Sequence, residues 1–139
     1  MFEIMNESAL FRLSFIERQE EPEDRRLDLI ICWLEIEESC IKLQCQCELT
    51  LFDLKNFRDM LVRFHENIEQ NIGTPPESFV PRMETFTCEV RQVEGADFIG
   101  FNFTASPHED EGWMLKGGIA IDQTYFPGLI RGIESILSH

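Results

Sequence analysis

The segment His108-Glu109-Asp110-Glu111 sets an imidazole beside carboxylates, a combination that could hold a divalent cation through oxygen atoms or serve as acid and base. Adjacent residues of an extended segment point to alternate sides, so these groups converge on one ion only in a special turn, and the segment reads as a solvated loop. His65 follows Phe64 and has Glu66 beside it and Glu69 one helical turn on, but the hydrophobic period puts it on the exposed face of a helix. His139 is terminal and expected to fray. The five cysteines, Cys32, Cys40, Cys45, Cys47 and Cys88, form no Cys-x-x-Cys pair and have no histidine at zinc-finger spacing, which predicts free thiols. No glycine pattern matches a phosphate cradle or a dinucleotide fingerprint, and no nucleophile elbow occurs. No catalytic residue, metal or cofactor is assigned, and the expectation is a protein that is not an enzyme.

The elements that would position these residues are clearer than the chemistry. From Phe11 to Phe15 apolar and polar residues alternate, and Leu27 to Glu37 is an apolar run around Trp33. Ile30, Cys32, Leu34 and Ile36 share one face of that run while Leu29, Ile31 and Trp33 share the other, so its start is expected to be covered on both sides. Ile41 to Leu51 alternates strictly and turns Cys45 and Cys47 inward as small core hydrophobes. Leu54, Phe57, Leu61, Phe64 and Ile68 form the stripe of an amphipathic helix, capped by Asp53 or by Thr50 with Asp53, and ended by Gly73 and Thr74-Pro75-Pro76. Pro75 to Pro81 reads as a linker. Phe86 to Val90 and Phe98 to Thr104 make a hairpin about Glu94-Gly95-Ala96-Asp97. Trp113 to Ile121 is a further strand in which Gly117-Gly118 predicts a bulge or a close backbone approach, and a second helix runs from about Thr124 to Leu137. Short turns force antiparallel pairing, and two one-striped helices need a sheet to cover. The expected fold is a single α+β domain over residues 1–139: an antiparallel meander sheet with two helices packed on one face.

The chain of 139 residues carries 26 acidic against 12 basic side chains, a net charge of −14. That surface repels nucleic acid and anionic lipid and favours a basic protein partner. No apolar run has the length of a bilayer span, and the acidic start lacks the character of a secretory signal, so the expected location is the cytoplasm. The acids gather in three clusters: Glu20, Glu21, Glu23 and Asp24 in one connection, Glu35, Glu37 and Glu38 at a strand end, and Glu109, Asp110 and Glu111 in another connection. If they converge, they form a patch that steers a cationic protein into contact.

The closing segment, Gly118-Ile119-Ala120-Ile121-Asp122-Gln123-Thr124-Tyr125-Phe126-Pro127-Gly128-Leu129-Ile130-Arg131-Gly132-Ile133, resembles the WapI-like immunity proteins, small bacterial proteins that protect a cell from a contact-dependent Rhs-repeat toxin encoded beside them. Asp122-Gln123-Thr124-Tyr125 is its most specific part. Leu49 to Leu61 and Glu84 to Val93 share the family's layout. The resemblance implies a cytosolic antitoxin that binds and blocks a basic nuclease domain by occlusion, and no family motif for toxin contacts is carried over. Asp122 or Thr124 is expected to cap the last helix. The alternative is a small ligand-binding or regulatory domain using the sheet face opposite the helices, and a third reading is a metal-dependent enzyme built around His108.

Overall fold

In the computed structural model, which describes residues 1–70, 73–108 and 111–139, the strict alternation of the first half becomes a four-stranded antiparallel sheet in sequence order. Its strands are β1 (Phe2–Met5), β2 (Ala9–Gln19), β3 (Leu29–Glu38) and β4 (Ile41–Thr50). The second sheet, also antiparallel and in sequence order, holds β5 (Glu77–Phe79), β6 (Phe86–Gln92), β7 (Ile99–Ala105) and β8 (Leu115–Ile121). The fold is α+β, and its strands are divided between two meanders. The division falls at helix α1 (Leu51–Glu69), which leaves the end of β4 and separates the two meanders.

Apolar side chains of both sheets and both helices form one core. Phe11 of β2 meets Phe86, Phe101 and Phe103 of the second sheet at ring separations of 5.5, 5.0 and 5.3 Å, which fixes the two sheets face to face. α1 packs beside α2 (Phe126–Leu137), α1 also lies against β5, and α2 lies against β1. The helices therefore stand together at the edge strands and leave the outer faces of the sheets without a helical cover.

The start of α1 follows its sequence. Thr50 Oγ1 accepts from the Asp53 N–H at 3.0 Å and Asp53 Oδ2 accepts from the Thr50 N–H at 3.0 Å, a reciprocal cap that is buried. Asp53 also accepts from the Arg82 N–H at 3.3 Å, tying the helix to the approach to β6. Before α2, Asp122 accepts from the Thr124 N–H at 2.8 Å and starts the 3-10 turn Gln123–Tyr125. The helix proper thus begins at Phe126, two residues later than its pattern suggests, with Pro127 in its first turn.

Two local expectations are corrected and a third, which left two alternatives, is narrowed to one. The stretch Pro75 to Pro81 is not only a linker: Glu77–Phe79 pairs with Val90, Glu89 and Cys88, and Phe79 stacks on Phe57 at 4.4 Å. The strand is short and sits at the sheet edge, the place where flanking prolines are compatible with pairing. β8 begins at Leu115, leaving Trp113 and Met114 exposed in the preceding connection. Gly117 and Gly118 continue the register without a bulge, facing Phe103 and Asn102. At Gly117 the reason is a close approach, because a Cβ would stand 2.8 Å from the Phe103 ring.

Candidate functional site

The β2–β3 connection is held by a buried carboxylate. Asp28 Oδ2 accepts from Arg18 Nη2 at 2.7 Å, from Arg18 Nε at 3.0 Å and from Arg25 Nε at 3.1 Å, while Oδ1 accepts from the Glu21 N–H at 2.8 Å. The Glu21 amide and the two guanidinium groups hold its pKa down to about 2, against the cost of burial. Around this knot the predicted acids are largely tied within their own loop. Glu20 pairs with Arg25 at 3.2 Å and Asp24 with Arg26 at 2.9 Å, and the Arg26 side chain and amide lower the Asp24 pKa. Glu21 accepts from the Glu23 N–H at 3.4 Å.

The second predicted cluster divides. Glu35 and Glu37 lie on the outer face of β3, whereas Glu38 turns to its own hairpin, where the Ser39 hydroxyl and the Cys40 N–H lower its pKa. β3 separates the Glu20 to Asp24 loop from Glu38 by its whole length, about 30 Å at 3.4 Å per residue. The third cluster belongs to the β7–β8 connection of the other sheet, where Glu111 is exposed; Glu109 and Asp110 lie outside the described residues. The three clusters are not brought to one point.

A different grouping arises from strand register. Across the outer face of the first sheet, Glu3, Arg12, Glu35 and Gln44 form one row, Ser14, Trp33 and Gln46 the next, and Glu17, Ile31 and Glu48 the one after. Trp33 is 36% exposed, and Ile16, the extra residue of the β2 bulge, is 48% exposed. Ile31 is buried although it points away from the core, in agreement with cover on both sides of the start of β3. Arg12 bridges Glu3 at 2.7 Å and Glu35 at 3.3 Å, Gln44 donates to Glu35 at 3.3 Å, and Lys42 meets Glu37 at 3.5 Å. Glu17 and Glu48 flank the buried Ile31 and form no ion pair among the described residues. The face is a part-exposed tryptophan next to the buried Ile31 within a net acidic rim, the anatomy of a protein-binding patch.

Sequence reasoning reached Glu35 and Glu37 but did not place Glu3, Glu17, Glu48 and Trp33 on this surface. The alternation of β3 carried part of the signal, since Trp33, Glu35 and Glu37 have the same parity. Glu17 could not be placed that way. Unbroken alternation sets it with Phe11, Leu13 and Phe15 on the inward face, and a bulge between Phe15 and Glu17 moves it outward, opposite Ile31.

The remaining candidates for chemistry have structural roles. The His65 ring stacks on Phe126 at 5.6 Å, and its Nε2 lies 3.3 Å from Glu69, so it is half-buried against α2 rather than on an open face. His139 is not frayed: its ring stacks on Phe15 at 4.1 Å and its carbonyl oxygen accepts from Arg18 Nη1 at 2.9 Å. His108 is exposed. Among the described residues, no group of three or more His, Cys, Asp or Glu side chains converges as metal ligands. Among the described residues no helix is long and apolar enough to cross a membrane.

All five cysteines are free thiols. Burial pushes the Cys32 thiol up to about 12 and raises those of Cys47 and Cys88 further, while Cys45 is raised less and Cys40 is exposed. Thiolate is the reactive form. Titration with a thiol-reactive chromophore at pH 8 is therefore expected to give one fast equivalent in the native protein, lost in Cys40→Ser, and five after denaturation.

On the outer face of the second sheet an open groove is floored by Thr87, Asn102, Thr104 and Lys116 and edged by Ser78 and Val80. It is shallow and polar. No family model matches the chain, and no curated protein matches it.

Proposed function

We propose that this chain is a non-enzymatic protein-binding domain that presents the outer face of its first sheet to a basic protein. In the specific form implied by the resemblance of residues 118–133 to WapI-like immunity proteins, it is an antitoxin acting in the cytoplasm by covering the cationic substrate cleft of a nuclease domain. The observation that carries this reading is the part-exposed Trp33, on the same face as Glu17, Glu35 and Glu48. A partner arginine would stack on the indole while its charge faces the surrounding carboxylates, and exclusion of water from the centre strengthens both contacts. The surplus of acids adds long-range attraction toward a cationic surface and opposes direct binding of nucleic acid.

The second reading, a small-ligand module, rests on the groove over Thr87, Asn102 and Thr104. Its openness favours it less, because ligand sites enclose most of their ligand.

The test is co-purification and binding kinetics with the toxin domain of an Rhs-type gene next to the one encoding this chain. The association rate is expected to fall about tenfold or more between 50 mM and 500 mM salt. Trp33→Ala is expected to weaken the complex by about 2 kcal/mol while the circular dichroism of the free protein is unchanged. A neighbourhood without such a gene, or a pair that does not associate, overturns the immunity reading. Binding indifferent to Trp33→Ala overturns the assigned face.

A further inference from the structure

β4 is the last strand of its sheet, so one side of its backbone faces away from β3. Which groups lie there follows from the hairpin. Ser39 and Cys40 form a two-residue turn and Glu38 faces Ile41 across it, an arrangement in which the flanking pair exchanges both hydrogen bonds. Ile41, Leu43, Cys45 and Cys47 consequently direct their N–H and C=O groups at β3. Lys42, Gln44, Gln46 and Glu48 direct theirs outward, where no strand pairs with them among the described residues. The edge has ten residues, no proline and no charged side chain on its inward face, and thus lacks most devices that block edge pairing. Its inward row is incompletely covered: Leu43 and Cys45 are half-buried and Ile41 is exposed.

We infer that this edge pairs with β4 of a second copy of the chain, the two strands running antiparallel about a two-fold axis at Cys45. That register sets Lys42 opposite Glu48 of the second copy, twice by symmetry, and Gln44 opposite Gln46. These are the residues whose backbone groups point outward, so both the hydrogen-bond phase and the charges match. Shifting the axis to Gln44 or Gln46 also keeps the phase but loses the pairing of Lys42 with Glu48. On the inward face Leu43 meets Cys47 of the second copy, and the two Cys45 residues meet on the axis as a non-hydrogen-bonded pair. Cα atoms in such pairs stand about 4.5 Å apart, within reach of a disulfide. The product is one continuous sheet whose two Trp33 faces look the same way. The edge of β8 has no comparable self-complementarity, since a two-fold axis at Gly118 sets Lys116 opposite Ala120.

The test is sedimentation and light scattering in reducing buffer from micromolar to millimolar concentration. The mass is expected to rise from 16.3 kDa to about twice that value. Lys42→Glu is expected to raise the dimer dissociation constant about tenfold or more, and Lys42→Glu with Glu48→Lys to restore it. Gln46→Pro removes an outward N–H that the monomer does not use, so it is expected to abolish the dimer with the monomer's circular dichroism retained. In a Cys40→Ser background, oxidised glutathione is expected to join two copies through Cys45 by thiol–disulfide exchange, two protein thiols becoming one disulfide as glutathione disulfide is reduced to two thiols. A mass that stays at 16.3 kDa throughout overturns the inference. So does a dimer unaffected by both Lys42→Glu and Gln46→Pro, which would use another surface.

Discussion

Asp28→Asn is expected to lower the melting temperature by about 10 °C or more, a large effect for a nearly isosteric change. The carboxylate has no exposed surface and accepts from Arg18, Arg25 and the Glu21 amide. An asparagine of nearly the same shape offers one accepting oxygen and must turn its NH2 toward another donor, leaving a guanidinium or the amide unpaired. Damage would spread beyond the loop. The Asp28 carbonyl also accepts from the Leu51 N–H at 2.9 Å, and Arg18 holds the His139 carbonyl, so the knot joins β2, the start of α1 and the end of α2.

The same group gives a pH signature. Its folded-state pKa, about 2, lies below the ordinary 3.8, so the charged form is favoured by folding. The resulting stabilisation is fully present above pH 3.8 and is lost as the pH falls toward about 2. Denaturant midpoints measured from pH 5 to pH 2 should fall steeply in the wild type. Asp28→Asn should be much flatter, keeping only the slope from Asp24 and Glu38, whose pKa values are also lowered. Parallel curves for the two proteins would show that Asp28 is not the linked group.

Gly132→Ala is expected to destabilise by about 2 kcal/mol, although alanine is the better helix former by about 1 kcal/mol. A Cβ at this position would stand 2.4 Å from the Met1 carbonyl oxygen and 3.0 Å from Phe2 Cα, so α2 could keep its place only if the start of β1 moved. Phe2 is fully buried against Phe11, Phe57 and Phe101, and its displacement would reach both sheets and α1. Gly128 in the same helix is the internal control. Its Cβ would have only the Arg131 guanidinium within 4 Å, at 3.8 Å, and Gly128→Ala should stabilise by about 0.5–1 kcal/mol. Opposite signs in thermal or chemical unfolding are the expected result, and equal signs would remove the close helix–strand contact as the reason for Gly132.

The proposed binding face and the proposed pairing edge share the first sheet but use different groups. Partner binding would depend on side chains standing out from the face, chiefly Trp33, Glu17 and Glu48. Self-association would depend on the backbone of Lys42, Gln44, Gln46 and Glu48, so the two surfaces meet at Gln46, which stands opposite Trp33, and at Glu48. A monomeric Lys42→Glu variant that still binds a basic partner would separate the two. Two copies joined at β4 would show two tryptophan-centred faces on one side, raising avidity for a partner with paired basic surfaces.

Much of the local structure was legible because it rests on side-chain period. The Phe57, Leu61 and Phe64 stripe, the Thr50–Asp53 cap and the inward turn of Cys47 all depend on residues a few positions apart, and the sequence contains that information directly; Asp122, expected to cap the last helix, instead caps the 3-10 turn before it, and α2 itself has no side-chain cap. The β5 strand was hidden because three residues between prolines have no period of their own. Glu77–Phe79 becomes a strand through pairing with β6 and the stacking of Phe79 on Phe57.

By itself, then, the sequence determined the α+β class, the antiparallel connections, the helical faces and the acidic character of the surface, since each follows from local spacing or from composition. Tertiary structure alone decided the division into two sheets, the positions of the acidic clusters and the surface that gathers around Trp33. Those depend on register between distant segments, and one extra residue near Ile16 is enough to carry Glu17 from the core side of a strand to the outside.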